Sequence, residues 1–170
     1  MRVLGALTVI VGCGLFGLVR AIGLRNQERC IAAVIDSLRY MGSELKALSP
    51  PLPELMSELA ESARPEVRGF YEKLRAATEL LGDESFEKLW TSAVMTDKTL
   101  LLNENQRREL CKAGAFIGRF SAQEQAVALE SCISRLETEY RMAAEKAREG
   151  RRLYPGLGLT AGIMLAAVFI

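Results

Sequence analysis

Few side chains in this sequence are of types that do chemistry. Two carboxylate pairs, Glu58 with Glu61 and Glu137 with Glu139, are the arrangement that general acid–base catalysis uses when one member holds a proton and the other does not. Acidic groups on helix surfaces are usually solvated, however, and nothing beside either pair marks it as an exception. The chain contains no histidine, which removes the commonest general base and metal ligand. There is no G-x-x-x-x-G-K-[ST] loop to cradle a nucleotide phosphate. The four cysteines, Cys13, Cys30, Cys111 and Cys132, include no C-x-x-C pair and fall among apolar positions, where a free thiol behaves as a small hydrophobe in a reducing compartment. No catalytic, cofactor-binding or metal-binding residue is therefore assigned, and the chain is read as non-enzymatic.

Residues suited to binding are more numerous. Trp90 is of the type that anchors interfaces, but it lies on an apolar helical face and reads as core. Arg107 and Arg108 read as a solvated face. Two G-x-x-x-G patterns, Gly114 to Gly118 and Gly158 to Gly162, allow helix backbones to approach closely, either within the fold or between molecules.

The elements carrying these residues follow from the charge distribution. The chain has 170 residues and a formal net charge of +1, which leaves no basic footprint for nucleic acid. Val3–Val19 and Leu153–Ile170 contain no charged residue. A spanning helix takes about 20 apolar residues, with a working range down to about 17. Both stretches qualify, the first extending to Leu24 if Arg20 snorkels to the interface. No small-x-small cleavage pattern directly follows Val19, so this segment reads as an anchor and not as a signal peptide. Basic residues flank the inner sides: Arg20, Arg25 and Arg29 after the first stretch, and Lys146, Arg148, Arg151 and Arg152 before the second. The positive-inside bias places the central domain in the cytoplasm and both termini across the membrane. The expected organisation is a transmembrane helix over residues 1–24, a cytoplasmic domain over 25–150 and a second transmembrane helix over 151–170, with Pro155 in the first turn of the latter.

Within the central domain, Ile31, Val34, Leu38, Met41, Leu45 and Leu48 recur at steps of three and four, predicting a long amphipathic helix. The prolines at 50, 51 and 53 end it. Further helices are predicted over Pro53–Ala63, over Pro65–Leu81 with Gly82 as its cap, from Asp83 or Ser85 through Val94, and from Asn103 to about Arg119. A capping box at Ser121 and Glu124 starts the last helix, which runs to about Glu149 before Gly150. No stretch alternates with period two. The fold class is all-α, an antiparallel bundle of about six helices flanked by N- and C-terminal transmembrane helices.

This arrangement resembles the stage III sporulation protein AB family of endospore-forming bacteria. The resemblance rests on an N-terminal membrane helix, on Ser43, Glu44 and Leu45 before the turn at Pro50, Pro51, Leu52 and Pro53, and on the segment Cys111–Gly118 followed by Gln125. The ending Tyr154–Gly158 also fits. It implies a helical bundle similar to the cytoplasmic domains of the F-family platform proteins of type II secretion systems and type IV pili. It further implies a place in the channel complex between mother cell and forespore, in the mother cell's outer forespore membrane. The implied partners are the secretion-ATPase-like stage III sporulation protein AA and other channel membrane subunits, and a complete platform would require self-association of the chain or those other subunits. The residues singled out for partner contact or packing are Glu44, Pro51, Glu54, Gly114, Gly118, Gln125, Gly158 and Gly162. A membrane-anchored signalling protein and a membrane-anchored enzyme are the rival readings; a sensor of this topology would need a receiving domain outside.

Overall fold

The computed structural model describes the backbone of residues 2–80 and 82–169, with side-chain surroundings from Val11 to Arg151, apart from Leu80 and Leu81, and at scattered positions beyond. Among the described residues there are six α-helices and no β-strand: α1 (Arg2–Ala47), α2 (Leu52–Ser62), α3 (Pro65–Ala77), α4 (Phe86–Thr96), α5 (Glu104–Phe116) and α6 (Ala122–Phe169). A 3-10 turn, Thr78–Leu80, follows α3. The chain divides into two compact units, Arg29–Tyr140 on one hand and Met1–Glu28 with Arg141–Ile170 on the other.

The larger unit is the helical bundle. The α1 stripe predicted from the spacing is its centre: Ile31, Val34, Leu38, Met41 and Leu45 are all buried. Around it pack Leu55, Met56 and Leu59 of α2, Val67, Phe70, Tyr71 and Leu74 of α3, Trp90 and Val94 of α4, Leu110 of α5, and Leu129 and Leu136 of α6. Phe70, at the middle of this core, makes edge contacts with Tyr71 and Trp90 at centroid distances of 5.0 and 5.5 Å. Aromatic rings in that geometry add to the stabilisation from buried area alone.

Helix starts follow local chemistry. Ser85 accepts from the Lys88 N–H at the head of α4. Asn103 and Gln106 form a reciprocal capping box on α5, with both bonds at 2.9 Å. Ser121 and Glu124 form the predicted box on α6: the Glu124 carboxylate accepts from the Ser121 N–H at 3.0 Å, and Ser121 Oγ accepts from the Glu124 N–H at 3.4 Å. Each cap satisfies an N–H that the helix cannot, a contribution of about 1 kcal/mol.

Several boundaries differ from expectation. Leu48 was assigned to the α1 stripe, but the helix ends at Ala47, Ser49 takes φ +45°, and Leu48 is 74% exposed. Helix α3 stops at Ala77, and α5 stops at Phe116 instead of continuing to Arg119. Gly150 was expected to separate two helices, with Pro155 in the first turn of the second. Instead α6 runs unbroken from Ala122 to Phe169, so Pro155 is a helix-interior proline.

In the smaller unit, α1 and α6 meet along a seam of small residues. Gly17, Ala21, Ala143, Ala147 and Gly150 are buried there. A Cβ on Gly150 would sit 2.6 Å from Leu24 Cδ1 and 3.0 Å from the Tyr154 ring, so any larger residue here must displace the Leu24 side chain. Among the described residues no helix is long and apolar enough to cross a membrane. The segments expected to span, residues 1–24 and 151–170, fall in large part on positions whose side chains lie outside the described residues.

Candidate functional site

Two turns of the bundle meet at one place. After α1, the N–H groups of Leu48 and Ser49 both bond to the Glu44 carbonyl, and Ser49 Oγ donates to the Leu45 carbonyl at 2.9 Å. Pro50 and Pro51 then force extended backbone, and Pro51 serves as the N-cap of α2. Across from Leu52 lies the turn between α5 and α6. There Gly118 takes φ +79°, and a Cβ on it would sit 2.9 Å from Leu52 Cδ1. Its left-handed backbone favours glycine, and a side chain here would also have to move the Leu52 methyl aside.

Gln125, from the first turns of α6, fastens this second turn. Its Oε1 accepts from the Gly118 N–H at 3.1 Å, and its Nε2 donates to the Phe120 carbonyl at 2.6 Å. Gln125 is nearly buried, so both bonds satisfy polar groups that water does not reach freely. The turn so held presents Phe116 and Phe120 outward, 41% and 49% exposed, with ring centroids 5.7 Å apart.

These rings open a cavity of about 680 Å³ between α5 and α6. Its floor is apolar: Ala115, Phe116, Phe120, Val127, Ala128 and Cys132. Its rim carries Glu109, Lys112, Glu124 and Arg135. Lys112 at 2.5 Å, and Arg135 at 3.5 Å, hold the Glu109 carboxyl below the usual carboxylate range. An apolar floor with a charged rim is the anatomy of a protein–protein contact, whose centre is dry and whose edge is polar. Exposed aromatic rings over such a floor are the side chains that concentrate binding energy.

Of the singled-out residues, Pro51, Gly118 and Gln125 come together around this pair of turns. Glu44 is half-buried near the end of α1, and Glu54 is exposed in the first turn of α2. Gly114 belongs to a different contact. It faces the indole of Trp90, where an added Cβ would lie 2.5 Å from Cγ and 2.8 Å from Cβ. With no side chain in the way, the Trp90 N–H reaches the Leu110 carbonyl at 2.8 Å. Since α5 ends at Phe116, Gly114 and Gly118 do not share a helix face. Gly158 and Gly162 lie on α6 where the surroundings are outside the described residues. Phe116, Phe120 and Val127 were not singled out from the sequence. The available signal was two phenylalanines straddling a glycine, off the stripe that packs the core.

The carboxylate pairs do not converge. Glu58 accepts from the Tyr40 hydroxyl at 3.2 Å, while Glu137 pairs with Arg39 and Glu139 accepts from Gln106 at 3.4 Å. The polar groups that do converge hold a loop. Arg107 donates to the carbonyls of Val94, Asp97, Leu100 and Leu102, which corrects its reading as a solvated side chain. Arg108 alone is exposed, paired with Glu104 at 3.0 Å. In the same loop the buried Asp97 carboxylate accepts from the Thr99 N–H and hydroxyl, at 2.8 and 2.7 Å, and pairs with Lys73 at 3.1 Å. Burial opposes its ionisation, but these partners outweigh burial and lower its pKa.

Burial raises the thiols of Cys30 and Cys111 above the ordinary range and pushes Cys132 up to about 11, which keeps them protonated and unreactive near neutral pH. No group of three or more metal-ligating side chains converges among the described residues. The family model described as stage III sporulation protein AB matches residues 2–170. No curated protein and no solved structure matches the chain.

Proposed function

The chain belongs to the stage III sporulation protein AB family, the match taking in residues 2–170, and from that premise we propose that it is a membrane-anchored, non-enzymatic coupling component of the mother cell to forespore channel. Family membership gives it a role in sporulation. The finer role is that of a bundle that docks a motor on the cytoplasmic side and transmits its position to membrane subunits.

The observation that carries the anchoring is the exposure of large apolar side chains on the smaller unit. Leu15, Phe16 and Val19 of α1 are 56%, 71% and 65% exposed, and Leu157 and Met164 of α6 are 60% and 75% exposed. Large apolar side chains exposed in this number on two helices are unfavourable in water and are covered by lipid or protein. These side chains belong to the uncharged stretches Val3–Val19 and Leu153–Ile170, whose length suits a membrane and whose inner flanks are basic. On this reading the central bundle is cytoplasmic and both termini lie across the outer forespore membrane.

The docking role rests on the groove between α5 and α6. Its occupant is the secretion-ATPase-like subunit, stage III sporulation protein AA, and the exposed rings of Phe116 and Phe120 are its anchors. The test is co-purification of the two proteins from membranes holding both. Replacing Phe116 and Phe120 together by Ser removes the anchors, with an expected loss of association of at least tenfold and no change in melting. Charge reversal at Glu44 and Glu54 tests the alternative face beside the proline turn. If wild-type chain and ATPase fail to associate in membranes, the coupling role fails and a structural role in the channel replaces it.

A further inference from the structure

The smaller unit contains a second cavity, of about 530 Å³, between the two helices. Along α1 it is lined by Leu18, Ala21, Ile22, Arg25 and Glu28, which share one helix face at steps of three and four. Ala144, Ala147, Arg148 and Arg151 complete it from α6. Three guanidinium groups therefore face one carboxylate, an excess of two positive charges in one groove. None of the three arginines makes an ion pair among the described residues.

The charge is not evenly spread along the groove. On α1 the face changes from aliphatic at Leu18 and Ile22 to cationic at Arg25 within one turn. On α6 the uncharged stretch starts two residues after Arg151. The close approach of Gly150 to Leu24 sets these two changes at the same level. A ligand complementary to the groove has an anionic head and an aliphatic tail on the same molecule. Guanidinium groups bind phosphate oxygens in pairs, with shorter and stronger bonds than an ammonium forms.

We infer that this groove binds an anionic phospholipid, its phosphate held by Arg25, Arg148 and Arg151 and one acyl chain lying along Leu18 and Ile22. The inference rests on the membrane-anchored reading above. It goes beyond a general basic flank, because it requires these three arginines and not their equally charged neighbours. Basic pockets between membrane helices at the cytoplasmic level have the same chemistry.

The test uses the full chain in nonionic detergent, with added phosphatidylglycerol or phosphatidylcholine, and counts bound lipid by native mass spectrometry. Phosphatidylglycerol is expected to be retained at least tenfold over phosphatidylcholine. The double variant Arg25→Gln with Arg148→Gln should lose at least fivefold of that retention. Arg141→Gln with Lys146→Gln removes the same charge from the same unit outside the groove and should retain the lipid. Equal loss in both double variants would show diffuse attraction and overturn the site, as would equal retention of the two lipids. Glycerol 3-phosphate competing as well as the intact lipid would overturn the acyl part of the assignment. Alkaline carbonate extraction separates the two levels of the argument. Release of the chain from membranes refutes the anchoring itself, whereas retention without lipid preference refutes this site alone.

Discussion

Replacing Gly114 by Ala places a single methyl group against the one tryptophan of the chain, and its cost can be worked from the contacts. The added Cβ would stand 2.5 Å from Trp90 Cγ and 2.8 Å from Trp90 Cβ, separations that carbon atoms do not tolerate. Trp90 is fully buried against Phe70 and Phe86, so the indole has no free space to turn into. Overpacking of this kind costs about 1–3 kcal/mol. Displacing the ring also breaks the bond from its N–H to the Leu110 carbonyl, worth about 1 kcal/mol. Against these stands the better helix propensity of alanine, about 1 kcal/mol in a helix interior.

The net expectation is destabilisation of about 1–3 kcal/mol. Urea unfolding of the bundle, followed through Trp90 emission, reads stability and site together, since the fluorophore is the residue displaced. A red shift in the native spectrum should accompany the lower midpoint. Gly69 supplies the internal control. It lies inside α3 with nothing within 4 Å of an added Cβ, so Gly69→Ala should stabilise by about 0.5–1 kcal/mol. The same chemical change is thus expected to act with opposite signs at two helical glycines. If Gly114→Ala unfolds at or above the wild-type midpoint with unchanged emission, the close-packing argument at Trp90 is wrong.

Asp97→Asn should destabilise by roughly 1–2 kcal/mol at neutral pH, through loss of the charge that Lys73 and Thr99 stabilise. Because the folded-state pKa of Asp97 is lowered, its contribution is full above the unfolded value of about 3.9 and is lost as pH falls through the folded value. The gap between wild type and variant should therefore close in acid denaturation below about pH 4, and a pH-independent gap would refute the ionic contribution. Arg107→Met leaves three loop carbonyls and the Val94 carbonyl of α4 without their donor and should cost about 2–4 kcal/mol, with hydrogen exchange quickened in residues 97–102. A single cysteine placed at Ser92 in a cysteine-free chain should escape a membrane-impermeant thiol reagent applied to intact cells; labelling from outside would reverse the orientation.

Local features were legible in the sequence. The burial of Ile31, Val34, Leu38, Met41 and Leu45 follows from a three-four spacing that any helix converts into one face. The capping box at Ser121 and Glu124 joins residues three apart, and the break after α1 comes from adjacent prolines. These depend on neighbours within a turn, and the chain itself supplies those neighbours. By contrast, Arg107 and Arg108 are adjacent and alike, yet one binds three carbonyls of a loop and one at the end of α4 while the other faces solvent. Gly114 and Gly118 read as one motif, but one accommodates Trp90 and the other a left-handed turn against Leu52. The groove lined by Phe116, Phe120 and Val127 likewise needs two helices and the turn held by Gln125. Periodicity thus determined the helices and their buried faces, because burial on a helix has a fixed repeat. The roles of single polar and glycine residues were decided only by the partner that tertiary packing brought against them, since their hydrogen bonds and clearances depend on atoms distant in the chain.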